Sequence, residues 1–355
     1  MLMLRPYVLV QDGVGNHFAA LFRLYWVHQR SPTEEGVVAE YAIEPNATTL
    51  HGFFAADHPP VLTIDSGDTV RFRTLDAGWG VEQFPADWDA NLPEAARPQR
   101  RRAATIHGEP DGHALCGPVF VRGAQPGMTL GVRIDRLIPG AWGWTFGGGA
   151  WADGARVLHR WTIDVAAGTA ANQLGHRVAL RPFMGVMGVA PAEAGRHATT
   201  PPRRVGGNLD CKELIAGSTL YLPIEVAGAL FSTGDGHARQ GDGELSGTAI
   251  ECPMDECTLT FTVHDDMPID APVAHTPAGW LTLGIGATLD DACVNAVRAM
   301  IDFLAGRLQL SRADASVLAS VAVDLRITQI VNQVCGVHAL LPHDGLLDQS
   351  DSLTV

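Results

Sequence analysis

Between positions 235 and 251 the chain gathers five side chains that can bind a metal ion: Asp235, His237, Asp242, Glu244 and Glu251. They lie in the stretch Leu230 to Glu251, L-F-S-T-G-D-G-H-A-R-Q-G-D-G-E-L-S-G-T-A-I-E. Imidazole nitrogen and carboxylate oxygen are ligands for Zn²⁺, and a catalytic zinc takes about three protein ligands with one position left for water. The glycines permit φ > 0, so the stretch reads as a shaped polar loop and not as a plain strand. It suits the rim of a metal-dependent hydrolytic site. Asp235 and His237 are two apart, and on extended backbone they project from one face. That pair supplies two ligands at most, so the remainder must come from elsewhere in the chain.

Polar residues beside glycine or at a strand end are the candidates. They are His51 before Gly52, Asp76 after the run Val70–Thr74, His113 after Gly112, Asp210 after Gly206-Gly207-Asn208-Leu209, and Glu251. Taken singly, each also fits an ordinary hydrogen-bonding role, and Asp or Asn in a tight turn often caps its own backbone. Asp242 and Glu244 read as supporting or solvated groups. A calcium loop competes for Gly234–Glu244. The EF-hand pattern fails, because with Asp235 first, Arg239 and Ser246 fall where oxygen ligands belong. Other catalytic classes score poorly: there is no G-x-S-x-G elbow, P-loop or strand-following G-x-G-x-x-G. Cys211 beside Lys212 and Cys252 beside Glu251 keep a thiol mechanism open.

Strands must do most of the positioning. Val70, Phe72 and Thr74 alternate with Arg71 and Arg73, as do Leu220, Leu222 and Ile224 with their neighbours, and Leu259, Phe261 and Val263 with theirs. Val119–Val121 and Leu130–Ile134 read as strands joined by a Pro126-Gly127 turn. Tyr7–Val10 reads as a strand and Phe18–His28 as a short helix or strand. The Pro-, Ala- and Arg-rich residues 83–112 form an insertion, and 181–210 a Gly- and Pro-rich region. Trp142, Trp144, Phe146 and Trp151 stand among glycines and read as irregular, either a mobile flap or an aromatic loop over a pocket. Helical spacing appears late: Val294, Val297, Ile301 and Leu304, then a second helix opened by Ser311-x-x-Asp314 and ending near Ala322. The expected class is α+β and mainly β, with a sandwich or barrel-like core and helices concentrated near the C-terminus. Residues 1–175 form a β-rich portion carrying His51, Asp76 and His113, and 176–355 a second β portion with the metal-capable stretch and the helices.

Bulk composition removes several function classes. Of 355 residues 46% are hydrophobic and 18% charged, which supports a packed core and argues against disorder. A net charge of -14 opposes a nucleic-acid partner. The short basic run Arg97–Arg102 is a solvated loop or a partner for an acidic patch on a second subunit. No uninterrupted apolar run reaches membrane-spanning length, and Met1–Val10 is too short for a signal peptide. Six Cys without C-x-x-C read as buried thiols in a reducing, cytoplasmic compartment.

Several stretches together resemble the acetamidase/formamidase family. They are His51-Gly52 with Pro59–Val70 and Leu75-Asp76-Ala77; His113–Val119 with Gly123-Ala124 and Pro126-Gly127; Thr200-Pro201-Pro202 with Gly206–Asp210; Gly217–Pro223; and the Leu230–Glu251 stretch. The resemblance covers about residues 45–345. It departs at Met128, in the 83–112 insertion and in the 142–151 aromatic stretch. It implies hydrolysis of formamide or acetamide to carboxylate and ammonia, a mostly β fold, a divalent metal, and a homo-oligomer built on dimers. With the chemistry above, the expected metal ligands are His51, Asp76, Asp210, Asp235 and His237. The ion is Zn²⁺, with Ca²⁺ as an option for a second ion. Glu251 and His113 carry protons, and Trp142, Trp144 and Phe146 close over the substrate. A metal-containing β protein that only captures a small ligand is the non-enzymatic alternative.

Overall fold

Alternation in the sequence becomes alternation of burial. In the strand Thr69–Thr74, Val70, Phe72 and Thr74 are buried while Arg71 and Arg73 face solvent. The computed structural model describes residues 39–80 and 112–347, the side chains of 149 and 150 excepted. The readings of Tyr7–Val10, of Phe18–His28 and of the insertion up to residue 111 lie outside them.

Two large sheets form the body. From edge to edge, the nine-stranded sheet runs Glu40–Ile43, Thr69–Thr74, Met254–His264, Thr129–Pro139, Thr219–Pro223, Val273–Thr276, Gly279–Gly286, Cys335–Pro342 and Asp324–Gln329. The eleven-stranded sheet runs Arg177–Ala179, Thr169–Asn172, Arg156–Asp164, Trp142–Gly148, Glu251–Cys252, Phe231–His237, Phe183–Gly188 and Gly206–Asn208. Leu115–Val121 also pairs with Phe231–His237, and it carries Leu50–His51 and Leu62–Ile64. Strands from before and after residue 175 interleave: Thr129–Pro139 lies between Met254–His264 and Thr219–Pro223.

The sheets pack face to face. Phe231 of one meets Phe72 and Phe261 of the other edge-on, with centroids 6.4 and 5.0 Å apart, and all three are fully buried. Aromatic pairs prefer this geometry to direct stacking. On the nine-stranded sheet, Leu220, Leu222, Leu281 and Leu340 face that core, while Tyr221, Trp280, Val337, Ala339 and Leu341 face the other way. Two helices cover the second face: α1 (Leu289–Leu308) and α2 (Arg312–Ala322). The fold is therefore mainly β, a sandwich with one helical layer near the C-terminus.

Both helix starts follow their caps. Thr288 accepts from Asp291 N–H and Ser311 from Asp314 N–H. The buried stripe of α1 differs from the expected one: it is Ala292, Ala296, Met300 and Leu304, and Val294 is exposed. The helix rests directly on Gly284, where a Cβ would collide with the backbone of Ala292 and Ala296. Small residues are needed there, so the larger Val294 turns outward.

Three other segments correct the sequence reading. Trp142–Gly148 is a regular strand paired with Arg156–Asp164, and not a flap. Its glycines answer to neighbours: a Cβ at Gly143 would lie 2.7 Å from the Glu251 carbonyl oxygen and 2.9 Å from Ile250 Cγ2. Phe231–His237 is a fully buried strand instead of a loop. Phe183–Gly188, within the Gly- and Pro-rich region, is likewise a fully buried strand. Among the described residues no helix is long and apolar enough to cross a membrane.

Candidate metal centre

The strand Phe231–His237 delivers the first two groups. On one side it pairs with Phe183–Gly188, in register Phe183↔His237, Met184↔Gly236 and Val186↔Gly234. On the other, His237 stands opposite Glu251. Asp235 departs from the extended backbone assumed for it, with φ 59°, a conformation that non-glycine residues adopt only when their surroundings impose it. The side chains still converge. His237 Nε2 lies 3.0 Å from Glu251 Oε2 and 3.3 Å from Asp235 Oδ1, and Nδ1 lies 3.9 Å from Asp210 Oδ1.

Ligand-capable atoms thus form two triads around one imidazole: Asp235, His237 and Glu251, and Asp210, His237 and Glu244. All five residues are at most 6% exposed. Both ring nitrogens of His237, Asp210 Oδ1, Glu244 Oε2 and Glu251 Oε2 are buried without a well-directed hydrogen bond, the 3.0 Å Nε2–Oε2 approach being an ion-pair contact. Each such group costs about 1–3 kcal/mol if nothing satisfies it. Nitrogen and carboxylate donors left bare in this way fit a divalent cation. These groups can converge because residue 185 is glycine. A Cβ there would fall 2.8 Å from Asp210 Oδ1 and from His237 Cε1, and closer still to Asp235 Oδ2.

The charges respond to burial and to one another. Burial pushes the Glu251 and Glu244 carboxyls up to about 8 against the pull of His237. Burial, with Glu244 beside it, raises Asp210 well above the usual carboxylate range. Asp235 is buried too, yet His237 and His113 hold it below that range. The Glu251 and Asp235 charges lift His237 despite its burial.

The other expected residues divide. His51 and Asp76 were expected as ligands, and the structure brings neither into a triad. His51 is 2.8 Å from the Phe53 carbonyl through Nδ1 and 3.1 Å from Ser232 Oγ through Nε2. Asp76 accepts from Gly78 N–H, Gly80 N–H and Trp144 Nε1–H at 2.8–3.1 Å. It closes its own turn and fixes Trp144. His113 lines a cavity of about 200 Å³ with Trp144, Asn208, Asp210, Asp235, Glu244, Glu251 and Asn332. Its backbone N–H donates to Thr199 Oγ1, and Nδ1 lies 2.8 Å from the same oxygen. Trp142 is buried against Trp144, and Phe146 is half-exposed under Arg156; neither is among the residues lining the cavity.

Sequence reasoning underrated Glu244 and missed Asn208, Gln240 and Asn332. Asn332 donates to Asp210 Oδ2, and Gln240 to the Asp210 carbonyl. Gly243 beside Glu244 was an available signal, whereas nothing local marks Asn332. Asp242 instead pairs with Lys212 at 2.8 Å. Burial pushes the Cys211 thiol up to about 12 and Cys252 well above its ordinary value, so neither is poised as a thiolate.

A putative formamidase of Schizosaccharomyces pombe is 28% identical over 263 residues, which is 57% of this chain and 60% of that relative's length. The solved acetamidase of Bacillus halodurans superposes with a TM-score of 0.74 at 28% identity, over 88% of this chain and all of that one. A predicted acetamidase/formamidase of Thermoanaerobacter tengcongensis shares the fold, with a TM-score of 0.76 at 24% identity, over 90% of this chain and all of that one. The model of the acetamidase/formamidase family matches residues 39–197 and 193–344. With a match over most of its length, this chain belongs to the acetamidase/formamidase family.

Proposed function

We propose that the protein is a metal-dependent amidohydrolase cleaving short aliphatic amides, formamide or acetamide, to carboxylate and ammonia. One observation carries the metal part: the ligand atoms of His237, Asp235 and Glu251 converge in a buried triad, those of His237 and Glu251 without a well-directed hydrogen bond, and Asp235 and Glu251 line a cavity of about 200 Å³. The family supports the amide part. Asp235, His237 and Glu251 would hold the ion, and their nitrogen and carboxylate donors suit Zn²⁺. Asp210 and Glu244 would hold a second ion, for which an oxygen-rich set suits Ca²⁺. Such an ion supplies Lewis acidity and an acidified water at neutral pH.

The chain's own groups do the rest. Trp144, fixed by its bond to Asp76, covers one wall and limits water. When His113 gives its Nδ1–H to Thr199, its other ring nitrogen is free to take a proton and pass it to the departing amine nitrogen. Glu251, expected as a proton carrier, is read here as a ligand because its Oε2 joins the triad 3.0 Å from His237 Nε2. The free thiols fit the cytoplasm, and a homo-oligomer built on dimers is carried over from the family resemblance.

The test is elemental analysis of the purified protein beside ammonia release from an amide panel. Bound zinc, with release from formamide or acetamide that stops on chelation and returns with Zn²⁺, is the expected result. Release that survives exhaustive chelation would remove the metal from the proposal. No release from any amide with metal present would leave the ligand-capture reading.

A further inference from the structure

Asn208 stands in the same cavity and is 2% exposed. It ends the short strand Gly206–Asn208, held opposite Val186. Its Nδ2 donates to the Thr200 carbonyl at 3.1 Å. That bond settles the orientation of the amide: the nitrogen must face the carbonyl, so Oδ1 is the free end. Oδ1 is buried without a partner.

Asn208 Oδ1 is therefore an uncharged, buried and unpartnered acceptor on a residue lining the cavity, distinct from the carboxylates there. Zinc ligands are thiolate, imidazole and carboxylate, and the triads already provide imidazole and carboxylate. A carboxamide oxygen is better matched to an uncharged N–H donor. In a primary amide the only donors are the two N–H bonds on its nitrogen. We propose that Asn208 Oδ1 accepts a hydrogen bond from the substrate NH₂ group, which makes Asn208 the residue that selects primary amides. This rests on the amide-hydrolase reading above. Leaving the acceptor bare is the penalty that disfavours an analogue without N–H.

The experiment compares formamide with N,N-dimethylformamide, which keeps the carbonyl and lacks the N–H bonds. In Asn208→Ala and the near-isosteric Asn208→Leu, kcat/KM for formamide should fall about 10–100-fold. The inhibition constant of N,N-dimethylformamide should stay within about twofold, so that discrimination against it collapses. Circular dichroism and bound metal should match the parent protein. Equal losses for both compounds would mean that Asn208 only shapes the pocket, and loss of metal would make it a ligand; either result overturns the inference alone. A parent protein that releases no ammonia from formamide or any other amide overturns the enzymatic reading as well.

Discussion

His237 decides the chemistry at the residue scale, because its two nitrogens face two different acidic triads. The Nε2 side is the closer, with Glu251 and Asp235 at 3.0 and 3.3 Å. His237→Ala and Glu251→Gln should each lower metal retained after dialysis, by on the order of tenfold or more, read by elemental analysis. Should Glu251→Gln keep its metal and lose only turnover, Glu251 is a proton carrier after all. The thiols make a second residue-scale prediction. Burial keeps Cys211 and Cys252 protonated at neutral pH, so iodoacetamide treatment of the native protein should leave ammonia release within about twofold of the untreated rate. Rapid inactivation with adduct on either residue would revive a thiol mechanism.

At the scale of elements, the centre depends on three adjacent strands: Phe183–Gly188, Phe231–His237 and Glu251–Cys252. The first contributes an absence. Gly185 keeps its position clear so that Asp235, Asp210 and His237 can face a common point. Gly185→Ala should therefore remove bound metal while costing stability only by about 1–3 kcal/mol, the usual range for overpacking. Metal content and a denaturant midpoint measure both effects; retained metal would show that the centre does not use the space beside Gly185. Trp142–Gly148 acts as a wall, bringing Trp144 to the cavity and to Asp76. A rigid wall can hold water out without moving.

At the scale of the molecule, the sandwich interior holds His338. Its neighbours Val337 and Ala339 face the helices, and Leu340 faces the other sheet. His338 is fully buried, 2.8 Å from Thr328 Oγ1 through Nδ1, and burial pushes it down to about 4. The unfolded chain takes up this proton below about pH 6.5, the folded chain only below about 4. Stability from this group is thus whole above pH 6.5 and falls as pH drops through that window, by on the order of 3 kcal/mol at the acid end. His338→Gln should flatten this part of the acid limb in urea midpoints taken from pH 7 to 4. An unchanged slope would mean that His338 is not held neutral.

How much of this was legible depends on where each constraint originates. Strands with one wet face showed themselves by alternation, as in Val70, Phe72 and Thr74, and helix starts by their caps at Thr288 and Ser311. These signals are local, because a side chain's face and a cap's hydrogen bond are set within a few residues. Spacing alone also paired Asp235 with His237. The sequence could not show that Trp142–Gly148 and Phe183–Gly188 are strands, since their glycines make room for residues far along the chain. Nor could it separate His51 and Asp76, satisfied by nearby hydrogen bonds, from Asp210 and Glu244, left bare beside His237. The ordered motifs carried the family resemblance, and residue types with local periodicity gave the mainly β class and a list of metal-capable groups. Which of those groups meet, and which are already satisfied, only tertiary structure decided, because convergence and desolvation belong to strand pairing and packing across the whole fold.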